Sequence, residues 1–224
     1  MKQPPSAGAS SPSILSATLA GTPGGQAARP LVSMDKPVTF DGLVPSALLR
    51  SLHGDMRDRS TFAYGRVSNL SDESIKAWGL NVVHECRVMI PEHMRTCMLL
   101  FRLVEDKLME AGLMTVNWRM YRIGFDARTE GQHGYIHPDH TAGNMLSVLY
   151  YVNSEWRPEW HGQTCFYADG TPPDLCHKHQ PAFTVDYVPG RFAVFPSRML
   201  HSSTAPTDGN TGLRITLTYV LEIA

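Results

Sequence analysis

The chain has 224 residues, with 20 Lys and Arg against 21 Asp and Glu, a formal net charge of −1, and 42% hydrophobic residues. That is enough apolar sequence for one globular domain with a sizeable core. A near-neutral charge without a basic run offers no grip on nucleic acid or an anionic membrane. The longest apolar run, Met98-Leu99-Leu100-Phe101, is far too short to span a bilayer, and Pro4 and Pro5 with the Ser and Gly that follow interrupt any signal-like stretch.

Residues 1–36 are rich in Ser, Pro, Ala and Gly and have little to bury, so they read as a flexible N-terminal segment. Residues 37–224 read as a single domain, with helical support over 37–112 and a β-core over 113–224. Pro45 to His53 has the pattern of a short helix with Pro in its first turn. The strongest helix is expected from Pro91 to Gly112. Met94, Met98, Phe101, Val104 and Leu108 recur there at steps of three and four, and Gly112 suits the stop.

Beyond Leu113 the pattern turns to short strands broken by Gly, Pro, Asp and Asn. Strands are expected over 114–123, 134–139, 145–153, 163–168, 182–188, 191–196, 198–203 and 212–222. The expected fold is mainly β with N-terminal helices (α+β), its core a jelly roll. The long connection from Arg122 to His133 has room for a lid. Cys86, Cys97, Cys165 and Cys176 show no paired spacing, which points to free thiols in a reducing cytoplasm.

His137-Pro138-Asp139 is followed by His201 and then by Arg214-Ile215-Thr216. Side chains alternate along a strand, so His137 and Asp139 share a face and His201 can close a triad from a distant strand. Two imidazoles and one carboxylate hold Fe(II) on one side and leave the other positions open. On the last strand Arg214, Thr216 and Thr218 share one face; Leu213, Ile215, Leu217, Tyr219 and Leu221 share the other. A buried polar face needs a partner, and a carboxylate gripped by a guanidinium fork with a Thr hydroxyl supplies one.

Other histidines have plainer readings. Cys176-His177-Lys178-His179 lies in a Pro- and Asp-rich loop, His133 and His140 flank the main motif, and His161 suits a turn. Trp118, Arg122, Arg128, Tyr135, His140 and Trp156 are candidate substrate contacts. Their plainer reading makes the two Trp residues packing and the two Arg residues solvated.

From Trp118 to Tyr219 the chain resembles the Fe(II)/2-oxoglutarate-dependent oxygenase superfamily, most closely its prolyl-hydroxylase-like branch. The resemblance is carried by Tyr121, Gly134 to Asp139, Leu149 to Trp156, His161 to Phe166, Pro189 to Phe195, His201 and Arg214. It implies a double-stranded β-helix, with Fe(II) on His137, Asp139 and His201 and 2-oxoglutarate chelating the metal. It further implies Arg214 on the distal carboxylate of 2-oxoglutarate, with Tyr151, Tyr121 and Thr216 around the same end. O2 would be consumed, ascorbate could serve as reductant, and succinate and CO2 would be released. Two departures stand out: His161-Gly162 where the family often has Gly-Gly, and a longer gap between His201 and Arg214. Asp139 keeps a carboxylate where halogenating relatives carry a small residue, so hydroxylation is the expected outcome. The expected substrate is a small molecule such as an amino acid or biosynthetic intermediate. The alternatives are a prolyl-type hydroxylase acting on a protein or peptide, and a non-catalytic jelly-roll binding module.

Overall fold

The computed structural model describes residues 34–59, 62–66, 76–207 and 212–224. The expected N-terminal segment 1–36 therefore lies outside the described residues except for Met34, Asp35 and Lys36. The chain opens with β1 (Val38–Phe40), α1 (Ser46–Arg59), β2 (Ala63–Arg66), β3 (Ala77–His84), β4 (Arg87–Val88) and the long helix α2 (Pro91–Glu110). There follow β5 (Trp118–Arg128), β6 (Met145–Tyr151), β7 (Thr164–Phe166), β8 (Phe183–Val185), β9 (Phe192–Pro196), β10 (His201–Ser203) and β11 (Arg214–Ile223). The segment 37–112, expected as helical support, thus holds both helices and also four strands, the longest of which pairs with β5 from Trp78 to Val83.

α2 forms where its apolar spacing places it. Pro91 sits in the first turn, where a missing N–H costs nothing, and Cys97, Leu100, Phe101, Val104 and Leu108 are buried along one stripe. Its end is closed by Gly112 at φ +66, with Leu113 N–H donating to the Leu108 carbonyl over 2.9 Å. A residue with a Cβ would be strained in that left-handed conformation.

The strands form two antiparallel sheets. The larger runs β1-β9-β6-β11-β5-β3-β2 with β4 beside β3, and the smaller runs β10-β7-β8. One face of the larger sheet packs on the helices. Ile215, Leu217, Tyr219 and Leu221 of β11 join Ile123, Phe125, Val148 and Tyr150 against Leu100, Phe101 and Val104. Phe101 meets Trp118 and Tyr219 at ring-centroid distances of 5.0 and 5.3 Å, and the Tyr219 hydroxyl donates to the Cys97 carbonyl over 2.8 Å. The opposite face turns toward the smaller sheet, as a two-layered jelly roll requires.

Several strands are shorter than their sequence signal. Pro138 lacks an N–H, so the 134–139 strand survives only as bridges at Tyr135 and His137. The 198–203 strand begins at His201, because Pro196 to Met199 is a turn closed by a 2.9 Å hydrogen bond. In the other direction, β5 continues to Arg128, so the first half of the expected lid is a paired strand. The longer hairpin expected over 205–212 falls partly on residues outside those described. All four cysteines are free, with Cys97, Cys165 and Cys176 buried. No helix among the described residues is long and apolar enough to cross a membrane.

Candidate metal centre

A single rung of backbone pairing builds the site. His137 and His201 exchange both N–H···O=C bonds at 3.0 Å, which makes them directly opposed residues of an antiparallel pair. Opposed residues project to the same side, and the two imidazole centroids lie 4.7 Å apart. Close approach of the two segments depends on Gly134, whose N–H donates to the Ser203 carbonyl over 2.8 Å. A Cβ there would meet Ser202 Oγ at 2.3 Å and the Ser203 backbone at 3.0 Å.

Each imidazole is held by a carbonyl two residues before it. His137 Nδ1 lies 2.7 Å from the Tyr135 carbonyl and His201 Nδ1 lies 2.9 Å from the Met199 carbonyl. The carbonyls can only accept, so Nδ1 carries the proton in both rings and Nε2 offers its lone pair to the interior. His201 Nε2 stands 3.7 Å from Asp139 Oδ2. Ligand atoms of His137, Asp139 and His201 lie within 4.8 Å of one another, and they are the group of His, Cys, Asp and Glu among the described residues that is placed to hold one ion.

Electrostatics favour the ligating forms. Burial, and then the neighbouring His201, pull the His137 pKa down to about 4, so its ring is neutral near pH 7. Burial opposes ionisation of Asp139, but Arg122, His201 and His137 outweigh it and hold the carboxyl below the usual range. Arg122 pairs with Asp139 Oδ1, and Ser147 Oγ donates to Oδ2 over 2.8 Å. Both partners come from the larger sheet and fix the plane of the carboxylate.

The same cavity, of about 230 Å³, runs from this triad past Leu149, Thr218, Asp126 and Thr216 to Arg214, with Arg128, Thr164, Ser202 and Ser203 also on its walls. Arg214 is 2% exposed, its Nε donates to the Gly162 carbonyl over 2.7 Å, and its Nη2 reaches Thr164 Oγ1 at 3.4 Å. Its guanidinium faces the Tyr187 ring at 4.9 Å and the Tyr151 ring at 5.8 Å. Burial lowers its pKa from the ordinary value. No carboxylate among the described residues forms an ion pair with it.

The sequence-derived pocket residues divide. Arg214 and Thr216 line the cavity. Tyr151 lies behind the wall in an apolar cluster with Leu149, Phe166 and Tyr187, and its hydroxyl donates to Thr164 Oγ1 over 2.8 Å. It acts on the cavity through Thr164. Tyr121 does not line the cavity. It is the residue skipped where the β5–β11 register shifts, and its ring lies edge-on to His140 at 5.1 Å.

Among the candidate substrate contacts, Arg122 and Arg128 are cavity residues rather than solvated ones. Trp118 belongs to the helix-side core, where its Nε1 donates to Glu105 Oε1 over 3.0 Å. Trp156 packs on Tyr187 and Trp160 beside a second cavity of about 460 Å³. Tyr135 contributes its carbonyl to His137, and His140 Nδ1 accepts from the Ala142 N–H over 3.0 Å. Cys176 to Lys178 form a short 3-10 turn, and His161 occupies a turn at φ +53. The sequence reading missed Asp126, Leu149, Ser147, Thr164, Ser202 and Ser203.

Asn153 braces the entry to β11. Its Oδ1 accepts from the Ile215 N–H over 2.8 Å, its Nδ2 donates to the Leu213 carbonyl over 2.8 Å, and the Tyr187 hydroxyl lies 2.5 Å from Oδ1. Asn153→Ala strands these buried groups and is expected to lower stability by about 2–4 kcal/mol. Urea unfolding checks this, and an unchanged midpoint would contradict it.

The fold is that of the 2-oxoglutarate/Fe(II) oxygenases, prolyl hydroxylases among them. A 2OG-Fe(II) oxygenase family oxidoreductase from Burkholderia pseudomallei matches with TM-score 0.59 and 15% identity, over 83% of this chain and 84% of that one. A prolyl-4-hydroxylase from Pseudomonas putida matches with TM-score 0.55 and 17% identity, over 84% and 92%. HygX from Streptomyces hygroscopicus, with nickel, 2-oxoglutarate and hygromycin B bound, matches with TM-score 0.54 and 12% identity, over 84% and 83%. No protein-family profile and no curated protein matches the chain by sequence.

Proposed function

We propose that this chain is an Fe(II)- and 2-oxoglutarate-dependent dioxygenase that oxidises a C–H bond, by hydroxylation, in a small molecule such as an amino acid or biosynthetic intermediate. The observation that carries the reading is one cavity with a His-Asp-His triad at one end and a buried arginine, free of any carboxylate partner among the described residues, at the other. His137 Nε2, His201 Nε2 and an Asp139 oxygen would hold the metal on one side. Arg214, with Thr164 and Thr216 beside it, would hold the distal carboxylate of the cosubstrate. When bound, the metal would activate O2, the oxidant, with one oxygen atom going into succinate as the 2-oxo acid loses CO2 and the other into the substrate C–H bond.

The protein's own tasks are orientation and exclusion of water. Arg122 and Ser147 keep Asp139 ionised and aimed, the Tyr135 and Met199 carbonyls lock both imidazoles in the ligating tautomer, and Tyr151 fixes the Thr164 hydroxyl. HygX, which shares the fold at TM-score 0.54, has the small molecule hygromycin B bound, and this supports a small substrate. A prolyl hydroxylase from Trichoplax adhaerens in complex with a peptide fragment shares the fold at TM-score 0.57, which keeps a peptide substrate as the second reading.

The test is succinate formation from 2-oxoglutarate under Fe(II), ascorbate and O2, followed by mass spectrometry of products from free amino acids and from a proline-containing peptide. Succinate with an oxidised small molecule supports the proposal. A peptide heavier by one oxygen supports the second reading. No succinate under any condition favours the non-catalytic binding module.

A further inference from the structure

The guanidinium of Arg122 stands beside the metal ligands and is only partly used. Its Nη2 donates to Asp139 Oδ1. Its Nε is buried without a hydrogen-bond partner, and Nη1 bonds to nothing among the described residues. Orienting Asp139 takes one branch of the fork, and Ser147 Oγ shares that task from the other carboxylate oxygen over 2.8 Å. The second branch is surplus to it. The side chain lines the cavity and is 20% exposed, which leaves Nη1 as a donor for a bound molecule.

Arginine stays charged at any working pH, and a guanidinium with a spare donor is matched best by an anionic acceptor, since charge-assisted hydrogen bonds are roughly twice as strong as neutral ones. That acceptor differs from the one at Arg214. In the β5–β11 register Arg122 opposes Val220 and Arg128 opposes Arg214, six residues or roughly 20 Å further along the strand. Arg122 thus serves the metal end of the cavity and Arg214 the far end.

We propose that Arg122 is also a substrate anchor, its free branch holding the carboxylate of a small carboxylic acid while the C–H bond to be oxidised lies at the metal. This rests on the oxygenase reading above and narrows its substrate class to carboxylic acids, free amino acids among them.

The test is binding without O2, at saturating Fe(II) and 2-oxoglutarate, so that turnover does not enter. Free amino acids and their carboxamides are ranked by thermal shift, and the best acid and its amide are then titrated calorimetrically. Wild type is expected to bind the acid at least about 10-fold more tightly than the amide. Arg122→Met is expected to weaken acid binding about 10- to 100-fold, the loss of a charge-assisted hydrogen-bonded contact, and to leave amide binding within about threefold. Arg122→Lys, which keeps the charge without the fork, is expected to fall between the two. A merely misaligned Asp139 would weaken acid and amide alike. An equal loss for both therefore overturns the proposal, as does wild type that binds no acid or binds the amide as tightly. A fall in 2-oxoglutarate affinity as large as the fall for the acid also overturns it, by assigning the fork to the cosubstrate. Wild type that binds iron but not 2-oxoglutarate overturns the oxygenase reading itself. Wild type that binds 2-oxoglutarate but shows no preference for acids overturns the Arg122 proposal alone.

Discussion

His137→Ala, Asp139→Ala and His201→Ala are each expected to weaken Fe(II) binding by more than about 100-fold and to remove 2-oxoglutarate turnover. The expectation starts from the donor set. A triad of two neutral nitrogens and one carboxylate oxygen has no spare ligand among the described His, Cys, Asp and Glu residues to replace a missing member. Residues that only orient a ligand typically cost 10- to 100-fold in metal affinity, so loss of a ligand itself lies beyond that range. Ser147→Ala provides the scale. It removes a 2.8 Å hydrogen bond to Asp139 Oδ2 and is expected to weaken metal binding about 10-fold. Equilibrium dialysis with Fe(II) under anaerobic conditions, with unfolding curves as a check on folding, gives the measurement. Wild-type affinity in His201→Ala would remove the foundation of the proposed chemistry.

Arg214→Met is the second large effect. The 2-oxoglutarate concentration needed for half-maximal turnover is expected to rise by about 100-fold or more, while Fe(II) binding stays close to wild type. Cutting one partner from a buried, hydrogen-bonded charge pair costs about 2–5 kcal/mol, and each 1.4 kcal/mol is tenfold. The guanidinium also holds the Gly162 carbonyl, and Gly162 is closely packed. At φ +78, a Cβ there would lie 3.1 Å from Arg214 Cδ and 3.1 Å from Trp156. Thermal unfolding must therefore accompany the titration. An unchanged cosubstrate requirement in a folded Arg214→Met protein would place the carboxylate anchor elsewhere.

The sequence made some of this site legible and hid the rest for identifiable reasons. β11 reads directly: its alternation separates Arg214, Thr216 and Thr218 from Ile215, Leu217 and Tyr219, and the structure puts the first set on the cavity and the second in the helix-side core. β5 carries the same code, with Arg122, Asp126 and Arg128 opposite Ile123, Phe125 and Ala127. Gly124 and Asp126 are poor strand formers, and they ended the expected strand at 123 and turned cavity arginines into solvated ones. Tertiary pairing on both sides, with β3 and β11, overrides that weak local preference. At Tyr121 the strand is interrupted by a register shift against β11, and nothing local in the sequence marks one. β3 was missed within a stretch read as helical, although Ala77, Val82 and Val83 are buried in the structure.

The rung joining His137 to His201 ties the whole donor arrangement to strand alignment. Both imidazoles hang from one reciprocal pair of backbone contacts, so displacing either segment by a single residue would swing a nitrogen donor to the far side of the sheet. The crowding at Gly134 leaves little slack for such a slide. Correct threading of the smaller sheet and assembly of the ion-binding triad are therefore one folding event, and a chain that mispaired there would emerge compact but unable to load metal.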